Sequence, residues 1–439
     1  MKSKVGFRNW ISFILAGLIG QFAWTIENMY LNRYLYALDA SKLNYVSLMV
    51  ALSAAVATIT TLLMGALSDR LGKRKLFISL GYIIWGITIV IFGILKYNFV
   101  THAALLVVIM DCVMTFFGST ANDASFNAFV TDNTNTNNRG KVESVLSILP
   151  LVSMLFIVGV MEPLLISKGK WDIFFYIFGG LILVVGIILV FVLPKDKVEP
   201  NTKEPYIKNI FYGFRPSTIK KNPMLYIVLT AFMLFNMAIQ VFFPYFMIYI
   251  QYGTPSLQGM DFVVVLGVVL LLACIITVVF GLFMDKIGKN KIMIPSLIFT
   301  IIGCILMFFF VDKIGIMISG TILMAGYMVS TAVLGAKVRD YTPDDEVGLF
   351  QGIRMVFAVL VPMVTGPYIG ELCYHINKQV TDFTNEYGVT VTGVVPNKNI
   401  FIGAAIVLVL AIIPIIFLII KEKKNISNNE EKILETKEN

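Results

Sequence analysis

Long apolar segments alternate with short polar loops along the whole chain. Each segment holds about 20 mostly apolar residues, the length that an α-helix needs to cross a bilayer. Backbone groups inside lipid find partners only in helices or closed barrels, and these continuous apolar runs lack the alternation of barrel strands. The pattern predicts an all-α polytopic membrane protein with about twelve transmembrane helices. They fall near residues 10–36, 43–66, 76–96, 102–130, 142–167, 171–193, 225–251, 260–282, 292–311, 315–337, 350–374 and 399–420.

Composition agrees with lipid as the solvent of most of the chain. Of the 439 residues, 57% are hydrophobic and 14% are charged, whereas a soluble domain carries about 25% charged residues. The formal net charge is +8, but the basic residues lie in short loops, so we expect no nucleic-acid partner. The four cysteines show no C-x-x-C spacing, and we read them as small apolar residues.

The polar interval 194–224 divides the apolar segments into two groups of six. It is rich in proline and charge, and we interpret it as a linker between an N-terminal six-helix bundle (1–193) and a C-terminal six-helix bundle (225–420). The charged tail 421–439 is expected to be disordered. The stretch 375–398 is long for a loop of its kind, and the sequence assigns it no role.

Lysine and arginine are distributed unequally between alternate loops. They are concentrated at the N-terminus, at 70–75, in the linker, at 286–291 and at 421–424, and they are sparse in the intervening loops. Loops rich in Lys and Arg stay in the cytoplasm. Both termini are therefore predicted to be cytoplasmic, in a multi-pass protein of the cell membrane.

A charged loop motif follows the second helix of each bundle. The glycines permit a tight turn or close helix approach, and the charged residues can pair at helix ends near the anionic leaflet. We expect the motif to latch the two bundles together on the cytoplasmic side; alternatively, it only orients the helix pair. Its members are Gly65, Asp69, Arg70, Gly72 and Arg74 in the first copy and Gly281, Asp285 and Gly288 in the second.

A second repeat supports the duplication. Asp132-x-Thr134 follows the fourth helix, and Asp340-x-Thr342 follows the tenth. Two matches at corresponding loops predict pseudo-symmetric halves, an arrangement that places a substrate site between them near the bilayer midplane.

The first helix carries polar residues in one broad sector. Ionisable groups inside a membrane are costly, so each is a functional candidate. Gln21, Trp24, Glu27 and Asn28 share this sector. Carboxylate and amide groups can bind hydroxyls, and an aromatic face can stack on a sugar ring. Glu27 could also carry a proton.

The fourth helix carries a polar stripe. At 100° per residue, Asp111, Asn122 and the small residues between them share one face, with Asp123 and Asn127 on a neighbouring face. We favour a water-filled cavity beside this stripe. The alternative is that these groups satisfy one another between packed helices.

Polar residues of the second half complete the candidate site. Arg354, in the eleventh helix, is expected at a depth similar to that of Asp123, and an ion pair between them would lower the cost of both charges. Alternatively, Arg354 snorkels to the leaflet surface. Asn236 and Gln240 of the seventh helix are weaker candidates.

No catalytic or nucleotide-binding motif is visible. The chain lacks a Gly-x-x-x-x-Gly-Lys-[Ser/Thr] stretch, so we expect no ATPase activity and no need for an ATPase subunit. We also see no metal cluster and no nucleophile–base group, and we predict neither an enzyme nor a cofactor. Transport would then use an ion gradient.

The first loop motif resembles the signature loop of the major facilitator superfamily, whose second copy is usually degenerate. Within that superfamily, the glycoside–pentoside–hexuronide:cation symporters and their sucrose-transporter relatives have segments similar to residues 122–127 and 348–354 of this chain. That resemblance implies sugar and cation binding by Glu27, Asp123 and Arg354. Sodium-coupled members carry carboxylates in the second helix, and this second helix has none, which favours a proton over Na⁺.

The expected function is therefore proton-coupled symport of a sugar or glycoside by alternating access. Two alternatives stay open. One is a proton-coupled antiporter of drugs or organic cations, since Glu27 and Asp111 could attract cations. The other is a membrane sensor or scaffold that transports nothing.

Overall fold

The computed structural model describes the backbone of residues 5–98, 102–134, 138–196, 212–253, 256–343 and 347–438. Side chains are described for the same residues except 96–98, 139–140, 143–144, 282–287, 347–349, 351 and 424–438.

The described chain contains twelve helices that are long and apolar enough to cross a membrane, which confirms the predicted fold class. They are α1 (Phe7–Leu38), α2 (Asn44–Leu71), α3 (Arg74–Asn98), α4 (Ala103–Asp132), α5 (Leu149–Lys168), α6 (Trp171–Val192), α7 (Pro223–Tyr252), α8 (Gly259–Ile287), α9 (Lys289–Phe309), α10 (Lys313–Tyr341), α11 (347–375) and α12 (Asn399–Glu438).

Consecutive helices cross in alternate directions, so the molecule has two sides. We call the side that carries the start of α1 and the end of α12 the terminal side. The opposite side carries the one sheet of the described chain, and we call it the hairpin side. There β1 (Gln379–Thr384) pairs antiparallel with β2 (Thr390–Val395), between α11 and α12. Short helices at Arg139–Leu146, Tyr212–Phe214 and Pro216–Lys221 lie on the terminal side.

Small residues let α3 and α6 pack closely. A Cβ atom on Gly86 would lie 2.5 Å from the backbone nitrogen of Leu183, and one on Gly179 would lie 2.7 Å from the carbonyl oxygen of Gly86. Such contacts leave no room for a methyl group, and membrane helices use them because close van der Waals packing drives their association. In the second half, Gly303 and Gly326 bring α9 and α10 together in the same way.

Two segments differ from the sequence-based expectation. The backbone of α12 continues as a helix to Glu438, where a disordered tail was expected from residue 421. That segment contains no glycine or proline and is rich in Lys and Glu, which are good helix formers. The fifth spanning helix begins at Leu149 rather than near 142, because a turn at 147–148 separates it from the short helix before it. Residues 197–211 of the expected linker lie outside the described residues.

π-helical turns interrupt several spans. They cover Ile26–Leu31 in α1, Ser119–Phe126 in α4, Ile157–Met161 in α5 and Val356–Leu360 in α11. A π turn inserts an extra residue into the helical repeat, and such turns are frequent at functional sites. They rotate every later side chain relative to an ideal helix.

The two halves touch each other on the hairpin side. Ser47 of α2 donates a 2.5 Å hydrogen bond to Glu371 of α11. The guanidinium of Arg33 in α1 lies 5.0 Å from the ring centre of Phe262 in α8, a cation–π distance. These contacts join the hairpin-side ends of α1 and α2 to the second half.

Candidate functional site

A buried carboxylate pair lies between α1, α2 and α4. Glu27 is 7% exposed and Asp111 is 1% exposed. Thr115 donates a 2.9 Å hydrogen bond to Oε1 of Glu27. Asp111 interacts electrostatically with Glu27, and Ser53 of α2 lies within hydrogen-bonding reach of Asp111. Glu27 lies within the π turn at Ile26–Leu31.

Among the described residues, no positive charge compensates this pair. Neither carboxylate forms an ion pair with any described residue, and Oε2 of Glu27 and Oδ1 of Asp111 find no hydrogen-bond partner there. Two neighbouring carboxylates in a low-dielectric interior cannot both stay ionised without a cation. The arrangement can therefore hold a proton or a small cation between α1 and α4.

The other candidates of α1 lie beside this pair on a half-buried face. Gln21, Trp24 and Asn28 are all partly exposed. The ring of Trp24 packs edge-on against Trp85 of α3 at 5.0 Å, and Asn28 donates a 2.9 Å bond to the carbonyl of Trp24. Part of each side chain thus stays available to a polar ligand.

The polar stripe of α4 packs against its own half. Asn122 is buried and donates a 2.7 Å hydrogen bond to the hydroxyl of Tyr82, which in turn donates to the carbonyl of Ala16. The amide also lies directly over Gly20 of α1. The prediction of a cavity beside Asn122 was therefore wrong. The alternative holds there, because the polar groups hydrogen-bond to one another between packed helices.

The neighbouring face of α4 is more open. Asp123 is partly exposed and Asn127 is exposed. Asp123 accepts a 3.1 Å hydrogen bond from Ser119, and the Asn127 amide donates to the carbonyl of Asp123 at 3.2 Å. The π turn at 119–126 separates this face from the buried one.

The expected ion pair between Arg354 and Asp123 was wrong for this conformation. Both residues are described, and no ion pair joins them. Arg354 is exposed, and its charge lies near that of Arg339 in α10. An arginine near the end of a span can extend its guanidinium toward the membrane surface, where it needs no carboxylate partner.

The two amides of α7 pack against α11. Asn236 donates a 3.2 Å hydrogen bond to the carbonyl of Ala358, which lies in the π turn of α11. Gly366 sits against Gln240, where a Cβ atom would come within 2.5 Å of the side chain. The structure therefore brings these amides to α11, while Glu27 and Asp111 lie together in the first half.

The first loop motif is an ion-paired cap on the terminal side. Arg74 is buried, contacts Asp69, and donates to Asp132 at 3.0 Å and to Ser68 at 2.6 Å. Gly72 ends α2 with a φ of 62°, the left-handed conformation that favours glycine. Gly65 lies opposite Ala124 of α4, and Arg70 is exposed. All of these contacts stay within the first half.

The second motif makes the corresponding contact. Lys289 donates to both carboxylate oxygens of Asp340, at 2.8 and 2.7 Å. Gly288 precedes α9 with a φ of 91°, and Gly281 is exposed with open space around it. The side chain of Asp285 lies outside the described residues. In each half, the loop motif thus binds the Asp of the second sequence repeat. A latch between the halves stays a prediction.

One buried ion pair, between α1 and α5, was not predicted from the sequence. Arg33 of α1 donates a 2.7 Å hydrogen bond to Glu162 of α5, and their side chains are 2% and 0% exposed. Ser167 also donates to Glu162, at 3.0 Å. The signal was present, since each is an ionisable residue within an apolar span. Their pairing could not be predicted, because it depends on how α1 packs against α5.

Comparisons with known proteins identify a family by sequence and similar folds by structure. The family model described as Major Facilitator Superfamily matches residues 10–333 and 252–437. A structure of the nucleoside transporter NupG shares 12% identity, with a TM-score of 0.69, and the alignment covers 93% of this chain and 99% of that one. A partially occluded, inward-open structure of the xylose transporter XylE from E. coli shares 15% identity with a TM-score of 0.67, covering 93% and 96%.

A bacterial homologue of the human lysosomal transporter Spinster, in an inward-facing and unoccupied conformation, shares 13% identity with a TM-score of 0.58, covering 95% of this chain and 96% of that chain. No curated protein sequence matches the chain. At these identities the structural likeness concerns the fold.

Proposed function

The chain belongs to the major facilitator superfamily, and from that premise we propose that it is a proton-coupled symporter of a sugar or glycoside. It works by alternating access, in which the two halves rock about a central site. The observation that carries the proposal is the buried carboxylate pair of Glu27 and Asp111, which has no described counter-charge.

The pair supports proton coupling because a shared proton removes the cost of two buried charges. When the Glu27–Asp111 pair holds one proton, it carries one negative charge instead of two. Loss of that proton would leave two uncompensated carboxylates and favour a conformation that admits water. Proton binding would thereby be tied to the conformational equilibrium.

The face of α1 beside the pair supports a polyol substrate. Gln21 and Asn28 offer amide donors and acceptors, and Trp24 offers an aromatic surface. These groups are typical of sugar recognition. The similar structures include a xylose transporter and a nucleoside transporter, so pentoses and nucleosides belong among the solutes to be tested.

The terminal side is assigned to the cytoplasm. Arg8, Arg70, Lys73 and Lys75 lie at that side of the first half, and Lys289 and Lys291 at that side of the second. The positive-inside rule places such loops in the cytoplasm of a cell membrane.

The test is uptake into liposomes that contain the purified protein. A panel of sugars, glycosides and nucleosides is offered under an imposed pH gradient or an imposed sodium gradient. We expect accumulation driven by the proton gradient. Accumulation driven only by sodium would contradict proton coupling, and proton-driven efflux of organic cations without sugar uptake would favour the antiporter.

The variant Glu27→Gln separates coupling from binding. We expect loss of gradient-driven accumulation with retention of solute exchange, because exchange needs no net proton movement. The matched control is Asp382→Asn, which neutralises an exposed carboxylate on the hairpin and should leave accumulation intact.

A further inference from the structure

The hairpin between α11 and α12 has an ordered turn. Asn385 follows β1, and its side-chain oxygen accepts hydrogen bonds from the backbone of Tyr387 and of Val389, both at 3.0 Å. Gly388 adopts a φ of 73°, which a turn residue with a side chain would rarely adopt. The turn is thus a built structure that holds the two strands in a fixed register.

Its base is tied to the second half. Asn397 is buried and donates to the carbonyls of Tyr374 and Ile376 at 2.9 and 3.0 Å. Asn399, at the start of α12, donates to Ile376 at 2.7 Å. The hairpin therefore moves with α11 and α12.

Its tip binds the first half. The backbone N–H of Glu386 donates to the carbonyl of Ala37 at 3.1 Å, and the amide of Asn385 donates to the carbonyl of Leu38 at 3.2 Å. These two carbonyls belong to the last turn of α1, where a helix has no internal donors left. The second half thus caps a helix of the first half.

Strand β2 lies directly on the turn that follows α1. A Cβ atom on Gly393 would lie 2.5 Å from the Cβ atom of Ala40 and 2.8 Å from its carbonyl oxygen. No residue with a side chain fits there without displacing one of the two segments.

Three aromatic rings pack together where the hairpin meets the end of α1, and we call this contact the seam. Tyr36 of α1 lies 5.2 Å from Tyr252 of α7 and 5.7 Å from Phe383 of the hairpin, and Tyr252 lies 5.2 Å from Phe383. These separations are typical of favourable aromatic pairs. The seam therefore joins one ring from the first half to two from the second.

We propose that the hairpin is a strap that holds the hairpin side of the transporter closed and must leave the end of α1 each time that side opens. In alternating access, the halves move largely as rigid bodies. A segment anchored in one half and bonded to the other cannot keep both attachments when the halves separate there. The inference rests on membership of the superfamily and is independent of the solute and the coupling ion.

A wedge at the closest contact tests the strap. Gly393→Val places a branched side chain against Ala40 on a strand whose backbone accepts valine. The reporter is Asn28→Cys in a background whose four native cysteines are alanine, labelled in sealed vesicles by a membrane-impermeant maleimide. A separate Thr392→Cys protein shows which vesicles expose the hairpin side.

We expect labelling from the hairpin side to become roughly tenfold faster or more, since the wedge separates the tip of the hairpin from the two carbonyls of α1 that it binds. Thr381→Val is the matched control, because Thr381 faces Gly393 across the hairpin but is exposed.

Phe383→Ala provides a second test in case Gly393→Val does not fold. It removes one ring of the seam and should accelerate labelling by a smaller factor in the same direction. If both variants elute as folded protein and label at the rate of Thr381→Val, the strap does not limit opening and the proposal is overturned.

Discussion

The two halves share their loops but differ in their interiors. On the terminal side, Arg74 binds Asp132 in the first half and Lys289 binds Asp340 in the second. Inside the first half lie the buried charged residues Glu27, Arg33, Asp111 and Glu162. Among the described residues of the second half, Lys337 is the one charged side chain that is buried to this degree, and it lies at the terminal side with Glu422.

The two halves thus share the ion-paired loops of the repeat, whereas the buried charges are concentrated in the first half. A loop that caps helix ends serves the same structural purpose in both halves. Buried charges are costly in a membrane and persist where they are used. Under the proposed function, the ion-binding groups belong to the first half, and the second half contributes the amides of α7 and the proposed strap.

The largest expected effect comes from breaking the buried ion pair of the first half. Arg33→Met leaves the buried Glu162 without its positively charged partner, which should lower the free energy of unfolding by about 3–5 kcal/mol. Thermal unfolding in detergent measures the loss.

The matched control is an ion pair on the same side of the second half. Lys313 and Asp261 are 2.5 Å apart, with side chains 42% and 60% exposed, so Lys313→Met should cost about 1 kcal/mol or less. Equal losses in the two variants would contradict the contrast between the halves.

The loop motifs should differ less strongly. Arg74 is buried and binds two carboxylates and a hydroxyl, so Arg74→Gln should cost about 2–3 kcal/mol. Lys289 is 28% exposed and its partner 44% exposed, so Lys289→Gln should cost less than about 1 kcal/mol. The same unfolding assay compares them, and a larger loss for Lys289→Gln would reverse the comparison.

Close helix packing should contribute similarly to stability in the two halves. Gly179→Ala and Gly326→Ala each add a methyl group within 2.7 Å of backbone atoms, and each should lower stability by about 1–2 kcal/mol. Gly180→Ala is the control, because a Cβ atom there meets nothing within 4 Å. A loss for Gly180→Ala as large as for Gly179→Ala would show that the effect does not come from close packing.

The sequence predicted the spans and the duplication because both rest on local patterns. Twenty apolar residues have one stable arrangement in lipid, and repeated loops need only be compared with each other. The stripe that contains Asn122 was placed on one face correctly, but a polar stripe is equally compatible with a cavity and with packing, and only the contact with Tyr82 decides between them. The pairing of Arg33 with Glu162 and the docking of the hairpin on Ala37–Ala40 depend on contacts between distant segments, which no local pattern encodes.

The proposed coupling requires that the Glu27–Asp111 pair hold a proton at neutral pH, and infrared spectroscopy tests this most directly. In sodium-free buffer at neutral pH, purified protein should show the C=O stretch of a protonated carboxylic acid. This signal should be lost or shifted in both Glu27→Gln and Asp111→Asn, and retained in Asp382→Asn. An unchanged spectrum in both site variants would contradict a proton bound by this pair, and loss of the wild-type signal on adding sodium would assign the site to that cation instead.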